Sequence, residues 1–191
     1  MRSPTGCTRR ARTPAGLDFT AAAFCRGAER AGRDWTELDL ANNVLGAIAP
    51  DAEPAREAAR IVAAFYISAM PRELLERNGV DPAAVEPAVE AFARGEVKQA
   101  LELTPRAATD ALMIAGTAQD WLEWLDRNFA PSGFAHVLVT FADPFLVESW
   151  AGIEIDGLPS LREQLQLFRD DVMSRAKGTS SSAANSPSQS R

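Results

Sequence analysis

The sequence predicts a soluble, helix-rich α/β protein with too few strands to close a barrel or build a full sheet of its own. Three observations carry that expectation. Several stretches repeat apolar residues at helical spacing, only two short runs read as strands, and the order is helix, strand, many helices, strand, helix. Fully apolar parallel strands need cover on both faces. Both runs read as central strands, so the chain lacks the neighbours that should flank them.

Taken in order, residues 1–17 carry Pro4, Gly6, Pro14 and Gly16 and read as irregular. Asp18 to Gly32 places Phe19, Ala22, Ala23, Cys25 and Ala28 on one side at helical spacing, with Asp18 as N-cap and Gly32 as stop. Residues 38–49 are short, apolar and closed by Pro50-Asp51, which reads as a buried strand, although so short a run does not fix its own period. Residues 53–78 carry an apolar helical stripe through Ala58, Ile61, Val62, Phe65, Ala69 and Met70, with Pro71 ending one helix and opening another. Asp81-Pro82 begins a further helix that Gly95 ends, and 96–114 reads as one or two short helices. Thr117 is a good N-cap for a helix carrying Trp121, Leu122, Trp124 and Leu125. Phe134 to Phe141 is the clearest strand, stopped by Ala142-Asp143-Pro144. A loop follows, then an amphipathic helix over 160–175. The Ser-rich stretch 178–191 has no large apolar residue and reads as a disordered tail.

Composition narrows the function classes. The 191 residues carry a net charge of −6, which disfavours a phosphate backbone as partner. The one basic cluster, Arg2, Arg9, Arg10 and Arg12, lies in the irregular start. No apolar run approaches the ~20 residues of a membrane span. Cys7, Cys25 and the single His136 do not have the spacing of a metal site, and reduced thiols in a cytoplasmic protein are the expectation. No Gly-rich phosphate loop or nucleophile elbow occurs. Tyr66, Trp121 and Trp124 read as core, Arg72 as a surface charge, and His136 as structural rather than catalytic.

Seven stretches, in order, resemble the C-terminal part of the luciferase-like oxidoreductase family, in its deazaflavin-dependent branch. They are RGAERAGRD at 26–34, LDL at 38–40, AREAAR at 55–60, FYISAMP at 65–71, LLERNGVD at 74–81, AGTAQD at 115–120 and HVLVTF at 136–141. No single stretch is specific; their order and spacing carry the resemblance. It implies a partial (β/α)8 barrel, consisting of the last two strands plus a helical insertion. Residues 38–49 would be the seventh strand, 53–114 the insertion, 117–131 the seventh helix and 135–141 the eighth strand. It also implies a reductase or monooxygenase that acts on a small molecule with a deazaflavin coenzyme (8-hydroxy-5-deazaflavin type) or FMN. The earlier strands, which carry most of such a site, have no counterpart here, so the expectation is a truncated fragment, inactive alone. The rival expectation is a non-catalytic helical module, with its strand edges covered by a partner chain or a second copy.

Active sites of such barrels gather at the C-terminal ends of the strands. Thr140 and Asp143 stand at that end of the later strand and Gly46 at that end of the earlier one, and they are the candidates for lining a cofactor. Each has a plainer reading beside it. Asp143 before Pro144 is an ordinary strand-ending turn, and Gly46 can simply pack against a helix.

Overall fold

The computed structural model describes residues 15–176. The expectations for the start before Ala15 and for the tail after Ala176 fall outside them. Three strands form one parallel sheet in the order β2-β1-β3, with β1 at Ala41–Ile48, β2 at Met113–Gly116 and β3 at His136–Phe141. The two expected strands pair directly, from Ala41 opposite His136 to Gly46 opposite Phe141. The third was not expected. β2 lies inside the stretch read as helical and pairs Met113–Gly116 with Leu45–Ile48.

The helices are α1 (Ala15–Arg30), α2 (Ala52–Ala69), α3 (Arg72–Arg77), α4 (Pro82–Ala93), α5 (Val97–Leu103), α6 (Arg106–Leu112), α7 (Ala118–Trp124), α8 (Pro144–Ala151) and α9 (Leu161–Leu167). α7 and α9 run on into π-helical turns at Leu125–Phe129 and Phe168–Met173. α1 begins before Asp18, so that residue lies inside the helix and does not cap it. α8 occupies part of the segment expected as loop. Cys25, expected as a reduced thiol, is disulfide-bonded. No helix among the described residues is long and apolar enough to cross a membrane.

Side chains of a strand alternate between the two faces of the sheet, and each face has its own core. Leu45 and Ala47 meet α2 on one face. There Ala55, Ala58, Ala59, Ala63 and Ala64, all buried, let the helix backbone approach the strands closely. Val44, Ile48, Ile114 and Phe141 meet Trp121 of α7 and Phe168 and Val172 beyond α9 on the other. Burying an aromatic side chain removes ~150–250 Å² from water, which makes Trp121 the anchor of that second core. A third cluster, of Leu17, Leu40 and Phe134 with Trp124 and Phe129 against it, ties α1 to the N-terminal end of the sheet.

The caps follow from sequence. Asp51 accepts a hydrogen bond from the Glu53 amide, Asp81 from the Ala83 amide, and Thr117 and Asp120 form a reciprocal capping box.

Candidate functional site

The three sequence candidates do not converge. Gly46 is buried in β1, and the space a side chain would need there is already filled. A Cβ would stand 2.3 Å from Cζ2 of Trp121 and 2.6 Å from the Ile114 carbonyl oxygen. The indole is fixed in place because its Nε1 donates to the Ala47 carbonyl at 3.0 Å. Gly46 therefore makes room for a tryptophan on the α7 face of the sheet.

Asp143 caps α8, its carboxylate accepting from the Phe145 amide at 3.0 Å. Pro144 takes the first helical position, where its missing N–H costs nothing. Thr140 is exposed, and its hydroxyl donates to Oδ1 of Asn43 at 3.2 Å across the β1–β3 ladder. The C-terminal ends of both strands are roofed. Ala47, Ile48 and Ala49 are buried, and Gln164 of α9 closes over them. Its side-chain oxygen accepts from the Ile48 amide at 3.3 Å, and its nitrogen donates to the Ala142 and Pro159 carbonyls at 2.8 and 3.1 Å.

The more enclosed opening lies at the edge of the sheet instead. A cavity of about 390 Å³ sits beside residues 42–45 of β1, between α1, α2 and the start of β2. Its polar lining consists of Asn42, Asn43, Thr20, Tyr66, Asn78 and Asp110, against Leu17, Met70, Met113 and Trp124. Thr140 is coupled to this cavity through Asn43, whereas Gly46 and Asp143 are not among its lining residues. A second, shallower depression borders Pro50, Glu163, Asp170 and Asp171. Two of its acids are already engaged. Asp170 pairs with Arg169, whose guanidinium holds the carboxyl below the usual range, and Glu163 is held low by the Ser160 hydroxyl and amide.

Neither opening has an arginine or lysine in its lining. A deazaflavin or FMN carries phosphate, and a site for it needs cationic or backbone donors aimed at that charge. The described residues therefore do not fit a complete cofactor site. No cluster of metal-ligating side chains occurs among them. His136 pairs with Asp39 at 2.7 Å on the exposed surface, far along the strand from its C-terminal end.

Sequence reasoning missed Gln164. The signal was present, since a glutamine four and eight residues before Phe168 and Val172 stands on the apolar stripe of its helix.

A parallel sheet joined by helical crossovers, with one further helical block between the first and second strands, is the architecture of part of a (β/α) barrel. No family model matches the chain. Curated proteins do, among them three that are each a 5,10-methylenetetrahydromethanopterin reductase. That of Methanolobus tindarius is 35% identical over 108 residues, covering 56% of this chain and 33% of that protein. The Methanopyrus kandleri protein is 32% identical over 140 residues, 72% of this chain and 39% of that protein. The Archaeoglobus fulgidus protein is 31% identical over 155 residues, 79% and 42% respectively. The solved structure of the coenzyme F420 dependent tetrahydromethanopterin reductase from Methanopyrus kandleri superposes with a TM-score of 0.69 at 25% identity, over 86% of this chain and 43% of that one. The chain is homologous to the luciferase-like oxidoreductases. It spans between 33% and 42% of the length of the curated relatives it matches, a coverage that fits the C-terminal part the sequence resembles.

Proposed function

We propose that this chain is the sheet-and-insertion portion of a deazaflavin-dependent, luciferase-like oxidoreductase acting on a small molecule. The observation that carries this reading is the sustained match to one kind of reductase over 72–79% of the chain in two of the relatives. When bound, the reduced coenzyme would supply a hydride to an electrophilic carbon of the substrate. This stretch would contribute rigid strands, a roof over their C-terminal ends, and a dry core that fixes β1 against β3. The described residues provide no arginine or lysine at either opening, which supports the reading that the chain by itself neither holds the coenzyme nor turns over. The net charge of −6 speaks against nucleic acid as a partner, and a cytoplasmic setting suits the chemistry.

Titrating the 191-residue chain with reduced and oxidised deazaflavin coenzyme, and separately with FMN, tests the reading. The expected result is no shift in the coenzyme absorbance or fluorescence. Stoichiometric binding with turnover by the chain alone would overturn the claim of inactivity. A luciferase-like remainder supplied alongside should restore deazaflavin binding, and a preference for FMN in that mixture would move the proposal to the flavin branch.

A further inference from the structure

Cys25 is disulfide-bonded, in a chain with one other cysteine, Cys7. It sits on α1, on a stripe with Leu17, Ala21 and Ala28 at helical spacing. Leu17 and Ala21 pack in the cluster that holds Leu40 and Phe134. Leu17, Cys25 and Ala28 are buried, and Cys25 is only 4% exposed. The stripe is therefore the face that α1 turns to the rest of the molecule. On the flanks of α1, Phe19 lies against the Arg77 guanidinium at 3.9 Å, and Phe24 meets Phe134 edge-on at 6.5 Å. Leu17 and Thr20 of the same helix line the 390 Å³ cavity.

We propose that Cys25 and Cys7 form a redox-sensitive latch, which ties the start of the chain to the packed face of α1 and stiffens that wall of the cavity. Thiols stay reduced in a cytoplasm, and the disulfides that do form there are transient, catalytic or redox-sensing. A bond between the two cysteines of this chain closes residues 8–24 into a loop. Closing a loop removes conformations from the opened state, so α1 opens less readily while the bond stands. The chemistry is thiol–disulfide exchange with a glutathione-type thiol. Its thiolate attacks one sulfur, the S–S bond breaks, and the other sulfur leaves as a thiolate and takes up a proton. A second external thiol then resolves the mixed disulfide. Two external thiols thereby become one disulfide, and the latch becomes two thiols. Burial sets the direction. Attack requires access to the sulfur, and Cys25 is enclosed. The external thiol therefore adds to Cys7, while Cys25 leaves and remains as a buried thiol.

The test takes the 191-residue chain, oxidised with glutathione disulfide, then alkylated in denaturant and digested with trypsin. The expected result is no alkylated thiol and a product in which residues 3–9 are joined to residues 13–26. Brief exposure of the folded, oxidised chain to glutathione should leave the glutathionyl group on Cys7 and none on Cys25. Hydrogen exchange reads the consequence for α1. The amides of residues 20–28 should exchange at least about tenfold faster once the latch is reduced. Cys7→Ser leaves Cys25 in its buried place and should exchange at the reduced rate whether or not oxidant is present. Two alkylated thiols in the oxidised chain overturn the inference, as does a disulfide-linked dimer, which would make a second copy the partner of Cys25. Glutathione on Cys25, or exchange in α1 that is indifferent to reduction, overturns it as well. No coenzyme is added, so the outcome is independent of the proposed catalytic reading.

Discussion

A methyl group at Gly46 would collide with two things that cannot move. One is the ring of Trp121, wholly buried and tied by its own N–H; the other is a backbone carbonyl in β2. Overpacking a core ordinarily costs ~1–3 kcal/mol, and here the clash is with backbone, so Gly46→Ala should lie at or above the top of that range. Urea unfolding checks it: the midpoint should fall markedly. A Gly46→Ala protein as stable as the parent would show that this glycine is not there for packing. The sequence named Gly46, Thr140 and Asp143 because of where strands end, and the positions were right while the surroundings were not visible. Whether a strand end is open or roofed depends on Gln164, which is 116 residues from Ile48 and 22 from Ala142 along the chain and meets them only after folding. Periodicity carries no record of that. The indole partner of Gly46 lies 75 positions on, equally beyond local pattern.

Among the elements, those with strong punctuation were legible and those without were not. α2, α4 and α7 begin at Asp51, Asp81 and Thr117, each an acid or hydroxyl that captures a free amide. β2 has four residues and follows α6 without a turn, so it reads as the last turn of a helix. α8 hides behind Asp143-Pro144, which ends a strand and starts a helix with the same two residues. α9, like α7, opens on a capping box: Ser160 accepts from the Glu163 amide, and the Glu163 carboxylate accepts from the Ser160 amide at 2.9 Å and hydroxyl at 2.7 Å. Those bonds hold the Glu163 carboxyl below its ordinary pKa. A depressed carboxyl contributes its stability above the unfolded-state value and loses it as pH falls through the lower folded value. The cap should therefore act at neutral pH and fade in acid. Glu163→Gln should be less stable than the parent at pH 7, and the two should converge on acidification below the glutamate range. A difference that persists unchanged at low pH would assign the effect to something other than the charge.

At the scale of the molecule, the legible part was the deficit of strands, and the topology was the part that sequence order concealed. The first strand in the chain is the central one, because a strand from the block read as insertion folds back on its open side. What then holds two strand ends and the last helix in one place is a single amide. Gln164 is fully buried and uses both polar atoms of its side chain, bridging the Ile48 amide at the end of β1, the Ala142 carbonyl just past β3, and the Pro159 carbonyl before α9. Replacing it by an apolar side chain of similar size keeps the volume and strands three backbone groups away from water. A buried group left without its partner costs ~1–3 kcal/mol. Gln164→Leu should therefore lower the urea midpoint by the equivalent of several kcal/mol without changing the slope of the transition, since the surface exposed on unfolding is the same. Gln166→Leu, two residues on and exposed, should stay within about 0.5 kcal/mol of the parent. Equal effects from the two substitutions would show that the bridge contributes nothing to the fold, and that the strand ends are held by the apolar clusters on the two faces alone.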